Sequence, residues 1–207
     1  FPYTTLFRSS HSGFQEQTGM LGAIVIEPKG RERHPIEEDH VIVLSDWTSR
    51  NPHNLLKLLK QRNDFDNYHL PDFKKLLADI AETDLKTAFD ERKMWNQMRM
   101  MPTDFTDLSG ENTFTYLING KTTAANWAQI VKAGQRVKLR FINASAQTIF
   151  DVRIPGLKMT VVATDGIDVA PVAIDDFRIG VAETYDVIVT PTKDAHTIFA
   201  QNIDRSG

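Results

Sequence analysis

The sequence predicts an all-β sandwich interrupted by a helical insertion, and three observations predict it. Short runs of branched and aromatic residues recur between Gly, Pro and Asp turns over most of the 207 residues, as in chains built from short antiparallel strands. Within Arg136–Ile142, the inward Val137, Leu139 and Phe141 alternate with charged residues, the two-residue period of a strand with one face on a core. Between Asn51 and Asp107 the apolar period becomes that of a helix.

Each element follows from its own residues. Leu21–Glu27 is a branched apolar run bounded by Gly19, Gly22 and Pro28, which reads as a buried strand. A charged linker, Lys29–Asp39, carries Pro35 and leads to the strand His40–Asp46. Pro52 suits the first turn of a helix striped by Leu55, Leu56, Leu58 and Leu59. After Pro71-Asp72, the residues Phe73, Leu76, Leu77 and Ile80 follow an i, i+3, i+4, i+7 pattern. Asp84 is positioned to cap a third helix through Leu85, Phe89 and Met94 to Met101, stopped by Pro102. Strand signal then returns. Phe114–Ile118 ends at the turn dipeptide Asn119-Gly120. Further strands are expected at Arg136–Ile142, Ile149–Ile154, Met159–Ala163, Phe177–Val181, Tyr185–Val189 and Thr197–Ala200. No internal repeat or low-complexity segment is present.

Composition narrows the function. A 41% hydrophobic share supports a proper core, and 25% charged residues are ordinary for a globular chain. The net charge of −3 provides no basic face for nucleic acid or an anionic membrane. No apolar run approaches the roughly 20 residues of a membrane span. The chain has no cysteine, so disulfides, thiolate zinc sites and cysteine nucleophiles are excluded. A type 1 (blue) copper centre needs a Cys thiolate beside two imidazoles, and this chain cannot build one.

The most informative segment is Ser10-His11-Ser12-Gly13-Phe14-Gln15-Glu16-Gln17, directly before the apolar stretch Gly19–Pro28. It resembles the second His-x-His motif of multicopper oxidases of the copper-resistance protein A family, His-Ser-His-Ser-Gly-Phe-Gln-Glu-Gln. Other segments are similar to the middle domain of three-domain multicopper oxidases: Tyr116–Gly120, Leu139–Ser145, Thr164–Gly166 with Val169 and Pro171, and Glu183–Val189. Leu44–Thr48, Lys93–Trp95, Arg153–Met159, Phe199–Gln201 and Asp204–Gly207 resemble the copper-resistance family more narrowly. The resemblance covers the chain from Ser10 onward.

That resemblance implies a cupredoxin-like Greek-key β-sandwich with a helical insertion. It also implies a periplasmic enzyme that oxidises Cu(I) or phenolic substrates one electron at a time and reduces dioxygen to water. Electrons enter at a type 1 copper in a third domain. They pass to a trinuclear type 2/type 3 cluster held by four His-x-His pairs between the first and third domains. Neutral imidazole is a suitable ligand for copper. Carried over residue by residue, only His11 qualifies, as a type 3 copper ligand; the partner position holds Ser9. No residue is assigned a catalytic role. Copper ions, dioxygen and a reducing substrate are the partners implied for the parent enzyme, with no nucleic acid and no membrane span.

Phe1–Ser9 resembles the in-frame translation of a sequencing adapter, a scar to be set aside in fold reasoning; the alternative is a natural edge strand. On the first reading genuine sequence starts at Ser10, and the first ligand histidine was lost at the junction. Gly207 follows a strand-like run with no closing element, so the chain is expected to be a fragment cut at both ends. The expected division is 1–9 artefact, 10–39 the end of cupredoxin domain 1 plus linker, and 40–207 cupredoxin domain 2. The helical insertion falls at about 51–107. Such a fragment is expected to lack oxidase activity alone. The alternative function is a non-catalytic cupredoxin-like copper-binding or scaffold module, and a nucleic-acid-binding sandwich lacks the charge for it.

The remaining candidates are weaker. Gln15 and Glu16 either orient copper ligands or are solvated loop residues. Met94, Met98 and Met101 share a helix face at i, i+4, i+7, with Met100 beside them. Soft thioethers favour Cu(I), but packing by adaptable Met is the preferred reading. His34, His40, His53, His69 and His196 have no His-x-His or His-x3-His spacing and read as structural or exposed. Glu82, Asp84, Asp90 and Glu91, interspersed with Lys86, Arg92 and Lys93, look like a solvated helix face. There is no P-loop, dinucleotide fingerprint or Ser-His-Asp context.

Overall fold

A computed structural model describes residues 4–10, 12–26, 33–61, 72–98, 113–192 and 195–203, with backbone alone for 4–9, 95 and 98. Contacts divide it into two compact units, one of Phe1–Leu55 with Phe114–Ile203, the other built on Leu56–Thr113.

The first unit is a two-sheet sandwich. Its strands are β1 (Thr4–Ser9), β2 (Leu21–Ile26), β3 (Glu38–Trp47), β4 (Thr115–Ile118), β5 (Val137–Asn143), β6 (Phe150–Arg153), β7 (Met159–Thr164), β8 (Ile167–Ile174), β9 (Asp176–Ile179), β10 (Thr184–Val189) and β11 (Phe199–Asn202). One sheet runs β4-β3-β5-β10-β7-β8, the other β11-β6-β9, and β1 and β2 form a separate ribbon. β3 and β5 are parallel and β3 pairs antiparallel with β4. Inward residues of both sheets interdigitate: Ile42, Leu44, Val137, Leu139, Phe141, Val161, Val187 and Val189 face Phe150, Val152, Phe177 and Ile179. Phe177 links the layers, edge-on to Phe141 at 5.3 Å and stacked on Tyr185 at 4.8 Å. The cupredoxin-like sandwich expected from the sequence is the fold observed.

Local chemistry sets the corners. Asn119-Gly120 and Asp165-Gly166 both hold positive φ (48° and 75°, 47° and 72°), the backbone of two-residue type I′ hairpin turns whose twist matches the strands. The second joins β7 to β8. Asn119 also replaces strand pairing: its side chain accepts from the Val43 N–H at 2.7 Å and donates to the Val41 carbonyl at 3.0 Å.

Three features depart from the sequence reading. β2, expected as a buried strand, leaves most of its residues exposed, Ile24 and Val25 among them, because it pairs only with β1 in a two-stranded ribbon. β8 is not among the strands expected from the sequence; it is an edge strand, where the donor missing at Pro171 is tolerated. The charged positions of β5 are buried, Lys138 at 4% exposure and Arg140 at 6%. The face opposite the core is covered, since β1 lies against β5 and β10. Arg140 forms a fork on Asp39 (2.7 and 2.6 Å) and reaches Asp186 at 3.2 Å, so its charge is neutralised where water is scarce. Thr4–Ser9, inside the segment read as an adapter translation, pairs along its length with β2, from Thr4↔Ile26 to Ser9↔Leu21.

The helices are α1 (Pro52–Gln61), α2 (Phe73–Glu82) and α3 (Leu85–Met98). Each start has the cap its sequence implies. The Asn51 side chain accepts from His53 and Asn54 N–H, and Asp72 accepts from Lys75 N–H at 2.7 Å. Asp84 accepts from Lys86 N–H, Thr87 N–H and the Thr87 hydroxyl. Pro102 and Met101, expected to end α3, lie outside the described residues.

Asn143 fastens the two sheets. Fully buried, it donates to the Thr148 and Ile179 carbonyls at 2.8 and 3.1 Å and accepts from Ser145 N–H at 3.1 Å. Asn143→Ala strands those groups in the core, so urea denaturation should show a loss of about 2–4 kcal/mol. At Gly166, Ala puts a Cβ on left-handed backbone, for a loss of about 1–2 kcal/mol by the same measurement. The Asp84 carboxyl is held below its usual 3.8 by the Thr87 side-chain and backbone hydrogen bonds. A depressed carboxyl stabilises the helix above its unfolded pKa and loses that effect as pH falls through the folded value. Amide shifts of residues 85–88 should therefore report fraying as pH drops below 3.8, and Asp84→Asn should abolish that pH dependence.

Candidate metal-ligand loop

The segment singled out by the sequence is a tight loop ahead of β2. Its turns close on themselves: Thr18 N–H reaches the Phe14 and Gln15 carbonyls, Gly19 N–H that of Glu16, and Met20 N–H that of Gln15, at 2.9–3.2 Å. Gly13 and Gly19 take φ of 65° and 94°, conformations that L side chains avoid. His11 itself lies outside the described residues. Its two neighbours are tied together. Ser10 Oγ accepts from Ser12 N–H at 3.3 Å and donates to Gln15 Oε1 at 2.5 Å. Gln15, through its side chain and carbonyl, therefore organises the loop, and Glu16 contributes its backbone carbonyl to Gly19 N–H.

Two contacts join this loop to other elements, one to α1 and one to the sandwich. The Phe14 ring meets His53 edge-on at 4.7 Å. Gln17, 9% exposed, directs its amide Nε2 at Asp46 Oδ1, 3.5 Å away. Asp46 is the penultimate residue of β3 and is 4% exposed. Its carboxylate is wrapped by one loop: Oδ1 accepts from Ala146 N–H at 2.9 Å. Oδ2 accepts from Gln147 N–H and Thr148 N–H, both at 3.2 Å, and from Thr148 Oγ1 at 2.7 Å. Consecutive backbone donors converging on an anion replace the water it lost. Sequence reading quoted Leu44–Thr48 and Leu139–Ser145 for their resemblance without linking them. The acidic residue at the end of an apolar strand was the available signal.

The other candidates stay apart. His40 pairs with Glu38 at 2.8 Å. His196 Nε2 is buried without a hydrogen-bond partner among the described residues. His34 is half-buried, and His69 lies outside the described residues. Met94 is 59% exposed. The Met98 side chain, Met100 and Met101 are not described. Phe89, Arg92, Lys93, Asn96 and Gln97 line a shallow groove of about 410 Å³ on α3; it brings together no acid–base pair.

No described group of three or more His, Cys, Asp or Glu could hold a metal ion. With no cysteine in the chain, its donors do not fit a type 1 centre, and a single histidine in the loop does not complete a trinuclear one.

The sandwich defines the fold class as cupredoxin-like. Residues 38–206 match the multicopper oxidase family, and the chain belongs to it; copper is the metal of that family. It is 51% identical over 203 residues to copper resistance protein A of Escherichia coli, covering 98% of this chain and 33% of that protein. With copper resistance protein A of Pseudomonas syringae pv. tomato the identity is 49% over the same shares. The chain thus spans about a third of the length of these relatives. Among solved structures it is similar to Fet3p, a multicopper oxidase that functions in iron import. The TM-score is 0.66 at 18% identity, over 99% of this chain and 31% of the other. The blue copper oxidase of Nitrosomonas europaea gives a TM-score of 0.62 at 20% identity, over 97% and 50%. These likenesses establish the shared fold.

Asp46→Asn keeps the shape but turns one oxygen into a donor facing backbone N–H groups. Thermal or urea denaturation should show a loss of about 2–4 kcal/mol, whereas Ser145→Ala, which removes a buried hydroxyl with no partner among the described residues, should cost little.

Proposed function

We propose that this chain is the scaffold portion of a longer periplasmic multicopper oxidase of the copper-resistance type. In this reading 10–39 is the end of a first cupredoxin domain plus linker, and 40–207 a second domain with its helical insertion. His11 is one ligand of the type 3 copper pair. The whole enzyme would oxidise Cu(I) or phenols in one-electron steps, four of which supply the electrons that reduce dioxygen to two waters. No step of that chemistry is assigned to a residue here.

The observation that carries the reading is the family match across the sandwich, in a chain spanning only a third of its copper-resistance relatives. The anchored loop supports it. A ligand loop on flexible backbone would place its imidazole poorly, and here the flanks of His11 are closed by Ser10, Ser12 and Gln15.

The purified chain, incubated with copper and a phenolic substrate, should consume no oxygen above the rate of free copper. Turnover by this chain alone would overturn the reading. The uninterrupted gene should encode a His-Trp-His motif upstream and a His-Cys-His motif downstream; finding neither would favour the non-catalytic module.

A further inference from the structure

We propose that Gln17 and Asp46 form a latch through which the second-domain sandwich positions the histidine-bearing loop. Gln17 and Asp46 are then positioning residues, acting on His11 through the backbone of residues 12–20. The proposal rests on the preceding reading for the role of His11, but the latch itself needs no metal.

The argument begins with burial. Gln17 is the one described residue of the loop 12–20 classed as buried. A buried amide must have partners, and its Nε2 points at the Asp46 carboxylate. At 3.5 Å the contact is long for a hydrogen bond. Asp46 nonetheless carries its charge in a site 4% exposed, where an amide dipole directed at an anion acts strongly because water does not screen it. Asp46 cannot yield, because Ala146, Gln147 and Thr148 hold it on the sandwich side. The anchor is rigid and the loop is the movable part.

The loop's internal bonding converts that one contact into a constraint on its whole length. Gln17 lies within the turns closed by Thr18, Gly19 and Met20 N–H on the Phe14, Gln15 and Glu16 carbonyls. Gln15 in turn holds the hydroxyl of Ser10, which accepts from Ser12 N–H. The Phe14–His53 edge contact fixes the opposite side of the turn. Fixing Gln17 and Phe14 therefore restrains the turn of residues 12–20, to which Ser10 is tied through Gln15. A second domain without copper ligands thereby gains a direct part in where a ligand sits.

Hydrogen exchange and imidazole NMR on the metal-free full chain test this with three substitutions at one position. Gln17→Glu is isosteric but sets a like charge against Asp46. Gln17→Ala removes the donor, and Gln17→Lys supplies a cationic one. The latch predicts that exchange at Thr18, Gly19 and Met20 amides rises about tenfold or more in the Glu and Ala variants. The Lys variant should stay near the parent, and β5 amides should be unchanged in all three. The His11 imidazole resonances, assigned with His11→Gln, should shift in the Glu and Ala variants only. Thr148→Val removes the hydroxyl bond to Asp46 while leaving Gln17, and it should lower global stability without loosening the loop selectively. Equal behaviour of Glu and Lys would mean that Gln17 merely fills space, and the proposal would fall. So would faster loop exchange with unmoved His11 resonances. Failure of His11 to bind copper would leave these results untouched and would count against the copper reading instead.

Discussion

The Asp46 carboxylate is the constraint on which the rest of this structure depends. It closes the end of β3, gathers the loop that leads from β5 toward β6, and faces the loop that precedes β2. Three segments distant in sequence meet at one buried charge. Burying a carboxylate is costly unless fixed donors replace its water, so the 146–148 backbone has little freedom to adopt another path. Asn143 repeats the device with a neutral group, tying that same loop to the end of β9. The two hubs set the spacing of the sheets at one end of the sandwich, and hydrophobic packing from Phe141 and Phe177 fills the layer between.

If the proposed role of His11 holds, a sandwich of this kind gives a ligand-bearing loop the fixed support that precise placement needs. The loop is short, closed by its own turns, and held at Gln17 against β3 and at Phe14 against His53 of α1. In the helical unit Phe73, Leu77, Leu85, Phe89 and Met94 are exposed.

Most strands were legible because period and turn chemistry agree. Asn119-Gly120 predicted a hairpin turn from the dipeptide alone, and Asp165-Gly166 forms the same kind of turn. The cap at Asp84 was readable because it is a local event within three residues, and Asn51 and Asp72 form caps of the same local kind. β8 was not legible: a strand containing Pro171 is tolerated at a sheet edge, and edge position is a tertiary property. The burial of Arg140 was missed for a related reason: its partners Asp39 and Asp186 lie on two other strands. The site was legible as a motif around His11 but not as an assembly. Nothing in the spacing of Gln17, Asp46 and Thr148 announces that they converge, since only the fold brings together residues separated by 29 and 102 positions.

The most direct test of this account is native-state hydrogen exchange at the Ala146, Gln147 and Thr148 amides across a denaturant series. If Asp46 is the central hub, these loop amides should exchange only through global unfolding, with the same free energy and denaturant slope as β5 amides. Exchange through a low-energy, denaturant-independent local opening would show that the loop is held by something weaker than the buried carboxylate, and would contradict the account.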